Sequence, residues 1–307
     1  MSPLAAAAAE YLRMRRALGF KLYHHTWWLP DFVAFVHSQG SSTITAELAV
    51  RWAQQPAHGH PNWWAAKLAA IRHFARYYRA YDPRTEVPGA DLLPKQKVRQ
   101  PPYIYTEDEI GTLLERARRL PRPLQREAYT TLLGLLVVTG MRVGEALGLD
   151  DLDIDWHRSL LTVRRGKFGK TRLLPLHPST MAALHRYARV RDRLCPHRPT
   201  PSFFVSSTGR RVILQNLQHV FLRLVRLYRI GQHHPRTPRL HDLRHSFAVK
   251  TIREWYRTGV DVEPRMAALS TYLGHVCPSS TYWYLTATPD LLALACGRLE
   301  QAVRGQP

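Results

Sequence analysis

Breaking a phosphodiester without a metal asks a protein for three things: a nucleophile, cations on the non-bridging oxygens, and an acid for the departing oxygen. Three clusters in this sequence hold residue types of that kind. In Thr139-Gly140-Met141-Arg142-Val143-Gly144-Glu145 a glycine break precedes Arg142 and Glu145, which stand one helical turn apart. The carboxylate there can hold the guanidinium in position, although for such a pair taken alone a structural ion pair is the commoner meaning. In Leu240-His241-Asp242-Leu243-Arg244-His245 the i, i+3 spacing puts His241 and Arg244 on one helix face and Leu240 and Leu243 on another. Two phosphate-directed donors would then rest on an apolar backing, whereas HxxR alone more often marks a core histidine beside a surface arginine. The third cluster is Leu273-Gly274-His275, followed nine residues later by Tyr284, the last tyrosine of Tyr282-Trp283-Tyr284. A tyrosine in such a run is usually a buried aromatic.

The elements that must position these residues are mostly helices. Residues 4–81 are helical in pattern throughout, with stops at Gly19, Gly40 and Gly59-His60-Pro61, which predicts four helices. The last of them carries an apolar stripe of Leu68, Ile71, Ala75 and Tyr78 beside a basic stripe of Arg72, Arg76 and Arg79. One stripe packs and the other can meet phosphates, or simply be a solvated face. Residues 83–103 are rich in proline, include Lys95, Lys97 and Arg99, and show no period, so they read as a basic linker. A second domain opens where Thr106 and Glu109 make a helix capping box. Helices then dominate, except that residues 153–156, 159–165 and a run ending at Leu176 read as three short antiparallel strands around the turn Gly166-Lys167-Phe168-Gly169-Lys170. The fold class is therefore mainly α with a small antiparallel β-sheet in its second domain.

Composition narrows the partner. The 307 residues, 45% hydrophobic, suffice for two ordinary domains with cores. Lys and Arg outnumber Asp and Glu by 44 to 23, and a net charge of +21 makes a polyanion the natural partner, nucleic acid ahead of an anionic membrane surface. No stretch approaches the roughly 20 apolar residues that span a bilayer, and no membrane partner is expected. The run from Ala5 to Ala9 lacks a preceding basic region and is followed at once by Glu10, Arg13, Arg15 and Arg16, so it reads as the start of a helix and not as a signal segment. Cys195, Cys277 and Cys296 are scattered and form no CxxC pair, which argues against a disulfide framework or zinc site and fits a reducing cytoplasm. Gly169-Lys170-Thr171 resembles the end of a P-loop, but Arg164 stands where that loop needs its first glycine. HExxH and GxSxG are absent, and neither a metal nor a cofactor is expected.

Taken in order, an arginine with its acidic neighbour, a lysine in a β turn, HxxR, then LGH and a tyrosine, the clusters resemble the tyrosine recombinase (phage integrase) family. The motifs cover the second domain, and the four-helix first domain agrees by layout with the simple two-domain members, Xer-like and transposon-borne recombinases. The resemblance implies a SAM-like core-binding domain over residues 1–82, a linker over 83–103 and a catalytic domain with a C-terminal tail helix over 104–307. It implies that Arg142 and Arg244 clamp the scissile phosphate, a task their bidentate forks suit, that His241 and His275 are further phosphate-directed groups, and that His241 assists proton transfer with the tyrosine. Lys167 matches the hairpin lysine that protonates the departing 5′-oxygen, with Lys170 its nearest rival, and Glu145 matches the acidic position that orients the first arginine. Tyr284 would attack phosphorus and form a 3′-phosphotyrosyl bond; Tyr282, about 200° away around a helix, would point to the other side.

Arg164, Arg165, Lys170 and Arg172 crowd the hairpin and, with Arg72, Arg76 and Arg79, are candidates for DNA phosphates. Leu291, Leu292, Leu294, Ala295 and Leu299 form an apolar helix beyond Tyr284, which in the family docks into a neighbouring subunit. The implied partners are double-stranded DNA and three further copies in a homotetramer on two DNA sites, with or without a partner recombinase, in the cytoplasm at the nucleoid. Two rival functions share much of the pattern: a type IB topoisomerase that relaxes supercoils, and a DNA-binding regulator that has lost catalysis.

Overall fold

A computed structural model describes residues 2–94, 101–164, 171–286 and 289–304. The chain divides into two compact units, Met1–Arg99 and Gln100–Pro307.

The first unit is built from α1 (Pro3–Ala17), α2 (His25–Ser38), α3 (Ala46–Ala53) and α4 (Pro61–Tyr78). Each start has a local cause. Ser2 caps α1 by accepting from the amide of Ala5, Thr45 does the same for α3 through Leu48, and Pro61 supplies the fixed φ of a first helical residue in α4. Leu29, Phe32, Val36, Ile44, Trp52, Ile71 and Phe74 fill the space between them. Two cations serve this core. Lys67 is buried, donating from Nζ to the carbonyls of Trp52 and Gln55 at 3.0 and 2.8 Å over the Trp52 ring, and burial lowers its pKa. Arg72 donates to the carbonyls of Pro88 and Gly89 at 2.8 and 2.6 Å. That contact, the Glu86 amide on the Ile44 carbonyl and the burial of Leu93 attach the first half of the proline-rich segment to this unit.

In the second unit α5 (Glu107–Ala117) starts at a closed capping box, with the Glu109 amide on Thr106 Oγ1 and the Thr106 amide on Glu109 Oε2. There follow α6 (Pro123–Thr139), α7 (Val143–Leu147), the strands β1 (Ile154–Asp155), β2 (Leu160–Val163) and β3 (Arg172–Pro175), then α8 (Pro178–Leu194), α9 (Leu214–Leu227), α10 (Leu240–Arg257), α11 (Val262–Leu273), α12 (Ser279–Tyr282) and α13 (Pro289–Arg304). The sheet is antiparallel in the order β1-β2-β3, with Leu161 facing Leu174 and Val163 facing Arg172. Residues 165–170, between β2 and β3, and with them Arg165, Lys167 and Lys170, lie outside the described residues.

The five leucines of α6 anchor the main core, where Leu132, Leu133 and Leu136 meet Leu161 and Leu174 from the sheet, Leu184 from α8, Phe221 from α9 and Leu243 from α10. A second cluster covers the other side of α10: Ala248, Val249 and Ile252 pack with Met266, Leu269 and Leu273 of α11, with Tyr284, and with Leu291 of α13. Helix α10 is thus apolar on two faces and runs between both clusters. The tail helix seats Leu291 against its own unit and leaves Leu292 exposed. Among the described residues no helix is long and apolar enough to cross a membrane.

Gly140 stops α6 in the left-handed conformation at φ 58°, and a Cβ there would lie 2.4 Å from the Phe247 ring of α10. Gly134, inside the same helix, has open space around its Cβ position. Gly140→Ala is expected to destabilise the second unit by more than ~1 kcal/mol, from the backbone conformation plus the clash, while Gly134→Ala stabilises it by up to ~1 kcal/mol. Chemical denaturation of the two variants checks the pair; equal effects would show that the Gly140 corner is not constrained as described.

Candidate active site

Two helix ends and one carboxylate hold the arginines. An α-helix leaves its last carbonyls without partners, and its C-terminus carries partial negative charge. Helix α6 ends at Gly140 and α11 at Gly274, both in the left-handed conformation that turns the chain away and leaves carbonyls open. Arg244 uses both: Nη1 donates to the Gly140 carbonyl at 2.8 Å and Nη2 to the Leu273 carbonyl at 2.7 Å. Its residue is only 2% exposed, and burial, followed by the nearby charge of Arg142, lowers its pKa to about 10, so it stays charged at neutral pH in a setting that favours an added anion.

Arg142 precedes α7, and Glu145, three residues on, reaches back to it. Glu145 Oε2 accepts from the Arg142 amide at 2.9 Å and Oε1 accepts from Arg142 Nη1 at 2.8 Å, while Arg142 Nη2 donates to the Gly274 carbonyl at 3.0 Å. Arg172 of β3 approaches the same carboxylate from the sheet. Burial works against the charge on Glu145, but hydrogen bonds from Arg172 and Arg142 outweigh it and hold the carboxyl down to about 2. Glu145 is therefore an anion at any physiological pH.

Around the helix-end corner stand the imidazoles and the phenol. The His275 amide closes the end of α11 on the Ser270 carbonyl, and its Nδ1 lies 2.6 Å from Thr281 Oγ1, which fixes the ring. Its ring stacks on that of Tyr284 at 6.2 Å between centroids. Tyr284 lies in the 3-10 turn Trp283–Thr286 after α12, only 2% exposed, whereas Tyr282 is 43% exposed. The two tyrosines thus point to different surroundings, as their spacing predicts. His241 is exposed on the first turn of α10, its pKa lowered by desolvation of the ring and by Arg244.

The sequence reading missed a histidine that meets the phenol. Nδ1 of His245 lies 3.0 Å from the Tyr284 hydroxyl, which donates to it when the other ring nitrogen carries the proton. Burial and the neighbouring His241 push its pKa down to about 3. The signal was present: His245, Ala248, Val249 and Ile252 fall at i, i+3, i+4 and i+7, so His245 is the polar member of an apolar stripe.

Three residues expected as DNA contacts have their guanidiniums engaged within the protein. Arg172 shares the inward face of β3 with buried Leu174, two residues on, and is held by Glu145 and by the Tyr272 carbonyl. Arg72 is taken up by the Pro88 and Gly89 carbonyls, and Arg164 pairs with Asp153, which is buried, although much of the Arg164 side chain stays exposed. Arg76 and Arg79 are exposed at the end of α4. Among the described residues no group of histidine, cysteine and acidic side chains is arranged to hold a metal.

Comparison with known proteins agrees with this architecture. The family described as "Phage integrase family" matches residues 104–290, more than half of the chain. A putative integrase/recombinase y4rB of Sinorhizobium fredii is 42% identical over 98% of this chain and 98% of its own length. Tyrosine recombinase XerC of Roseiflexus sp. is 31% identical, over 72% of this chain and 66% of that protein. Among solved structures, the Tn1549 transposon integrase in complex with transposon right end DNA has a TM-score of 0.68 at 17% identity, covering 98% of this chain and 99% of that one. XerH bound to its difH substrate after cleavage has a TM-score of 0.66 at 19% identity, covering 89% and 78%.

Because His245 is neutral in the folded protein with a pKa near 3, and takes up a proton near 6.5 when unfolded, its contribution to stability is full above pH 6.5 and falls away as the pH drops toward 3. The loss should approach about 1.4 kcal/mol per pH unit in that window. Thermal unfolding of the wild type and His245→Gln from pH 7 to 4 reads it directly: the wild type should lose stability faster, and parallel curves would show that the ring is not held neutral.

Proposed function

The chain belongs to the phage integrase family and is a tyrosine-type DNA recombinase, and from that premise we propose that it cuts and rejoins strands through Tyr284, with Arg142 and Arg244 on the scissile phosphate. The observation that carries this reading is the 273–275 corner. Its carbonyls hold both guanidiniums, and its histidine ring stacks on the tyrosine. Cations, imidazole and nucleophile therefore meet at one turn of backbone, although they come from four separate helical segments.

In the proposed reaction Tyr284 Oη bonds to phosphorus and the bond from phosphorus to the 5′-oxygen breaks. The phenol gives up its proton to His241, and the departing 5′-oxygen takes one from Lys167, both by resemblance to the family. A 3′-phosphotyrosyl ester remains, and attack by a 5′-hydroxyl, from the same or another strand, reverses the exchange. One ester is traded for another, so no nucleotide hydrolysis is required. The arginines hold two of the oxygens on which charge grows in the pentacoordinate state. Neutral His245 aims the phenol; with a pKa near 3 it is too weak a base to keep the proton. His241 and His275 are the remaining phosphate-directed groups, and Glu145 supports Arg142. Tyr284 reaches phosphorus once its turn gives up part of this buried seat.

We assign DNA binding to both units, residues 1–82 as the core-binding domain and 104–307 as the catalytic domain, joined through 83–103. The exposed Arg76 and Arg79 and the net charge of +21 support contact with the backbone. The homotetramer on two paired sites is proposed on the pattern of the family, with the tail helix of one copy reaching the next. The recombinase relatives set aside the topoisomerase and the inactive regulator.

A nicked suicide substrate carrying the recombination site tests the assignment. Wild type should be trapped as a protein–DNA adduct, and Tyr284→Phe should give none while still binding the site; an adduct with the phenylalanine variant would remove Tyr284 from the mechanism. Arg142→Ala and Arg244→Ala should each slow cleavage by roughly 10²-fold or more with binding largely kept.

A further inference from the structure

We propose that Arg172 is a positioning residue, which sets the Arg142 guanidinium for the transition state by fixing the Glu145 carboxylate between two arginines. The inference rests on the reading of Arg142 as a phosphate clamp. Arg172 meets the carboxylate as a fork, Nη1 on Oε1 at 3.1 Å and Nη2 on Oε2 at 2.8 Å. Its Nε donates to the Tyr272 carbonyl at 2.9 Å, and the side chain is only 12% exposed. With the two bonds from Arg142, each carboxylate oxygen accepts twice, which uses about all of its four lone-pair directions. A carboxylate held only by Arg142 could pivot about that arginine's own backbone. Anchored from β3 and from the end of α11, it has one plane, and Arg142 has one place beside it.

Charge leads to the same role. If Glu145 served Arg142 alone, the anion would neutralise the cation that must attract phosphate. Shared with Arg172, it leaves the trio one net positive charge, and Arg142 keeps part of its pull. The glycine of Leu273-Gly274-His275 makes room for this: a Cβ at Gly274 would lie 2.9 Å from Arg172 Nη1, and its backbone is left-handed at φ 67°. Lysine cannot replace the fork, because a single ammonium reaches one oxygen and cannot also hold the Tyr272 carbonyl in the same geometry.

The test is single-turnover cleavage by wild type, Arg172→Met, Arg172→Lys and Arg142→Ala on two suicide substrates. One carries the ordinary scissile phosphate; in the other a methyl group replaces one non-bridging oxygen and removes its charge. Arg172→Met and Arg172→Lys should both cleave the ordinary substrate roughly tenfold to a hundredfold more slowly, with site affinity and its salt dependence unchanged. Their deficits should narrow on the methyl substrate in step with that of Arg142→Ala, and adding Arg142→Ala to Arg172→Lys should cost little more than Arg142→Ala alone. If Arg172→Met fails to fold, the lysine variant carries the same comparison. A weaker affinity with a salt slope reduced by about one phosphate would make Arg172 a direct DNA contact and overturn the proposal. So would deficits of Arg172 variants that stay equal on both substrates while that of Arg142→Ala narrows. If the Arg142→Ala deficit does not narrow, the phosphate-clamp reading itself fails, and the inference with it.

Discussion

A single carboxylate, Glu145, is the point on which this site is built. It sits almost out of solvent between Arg142 and Arg172 and remains ionised because both arginines donate to it. A buried anion of this kind is tolerated only when its lone pairs are satisfied, and here the donors come from α7's own entry and from β3. Removing either cation would leave the carboxylate partly unpaired. The arginines have a matching need, since their remaining N–H groups require acceptors in a buried place. The open carbonyls of two glycine-ended helices supply them, Gly140 for α6 and the 272–274 stretch for α11. Charge, helix ends and left-handed glycines are therefore one device.

Helix α10 joins that device to Tyr284, the proposed nucleophile. It carries Arg244 and, one residue later, His245, so a rotation of about 100° separates the group on the helix-end carbonyls from the group on the tyrosine hydroxyl. Both are buried, and the helix is locked from two sides, by Leu240 and Leu243 in the main core and by Ala248, Val249 and Ile252 against α11 and the Tyr284 turn. Rigid packing around α10 fixes the relative placement of cation and phenol more tightly than loops would. The same burial has a price in ionisation: it lowers the pKa of Arg244 to about 10 and that of His245 to about 3. Groups so perturbed beside one another cluster at functional sites.

Much of this was legible in the sequence, and the limits have physical causes. Helix stops at glycines, the Thr106 box and the alternation in the sheet are local effects, and the elements follow them closely. The clusters holding Arg142, Arg244, His275 and Tyr284 were also visible, because their residue types and order are unusual together. What could not be read was which cations are spent inside the molecule. Arg72, Lys67 and Arg172 all look like surface charge in a basic chain, yet each is consumed by carbonyls or by Glu145 that lie far away in sequence. Period alone would have moved Arg172 inward, since it shares a strand face with Leu174. It would also have marked His245, the polar member of an apolar stripe. The pairing partners, however, are set by long-range closure that no local pattern encodes.

Counting charge at the site shows what the arrangement favours. Arg142, Arg172 and Arg244 against Glu145 leave two net positive charges, and His245, held neutral, adds none. A phosphodiester in its ground state carries one negative charge, whereas the pentacoordinate state reached by attack of a phenolate carries close to two. An environment with two fixed positive charges is better matched to the second than to the first, which is the condition for a contact to accelerate chemistry and not merely to bind. A protonated His245 would shift that balance and take away the acceptor that aims Tyr284. In the proposed reaction its burial thus supports orientation and electrostatics together, and the apolar stripe that buries it serves that reaction as well as the core.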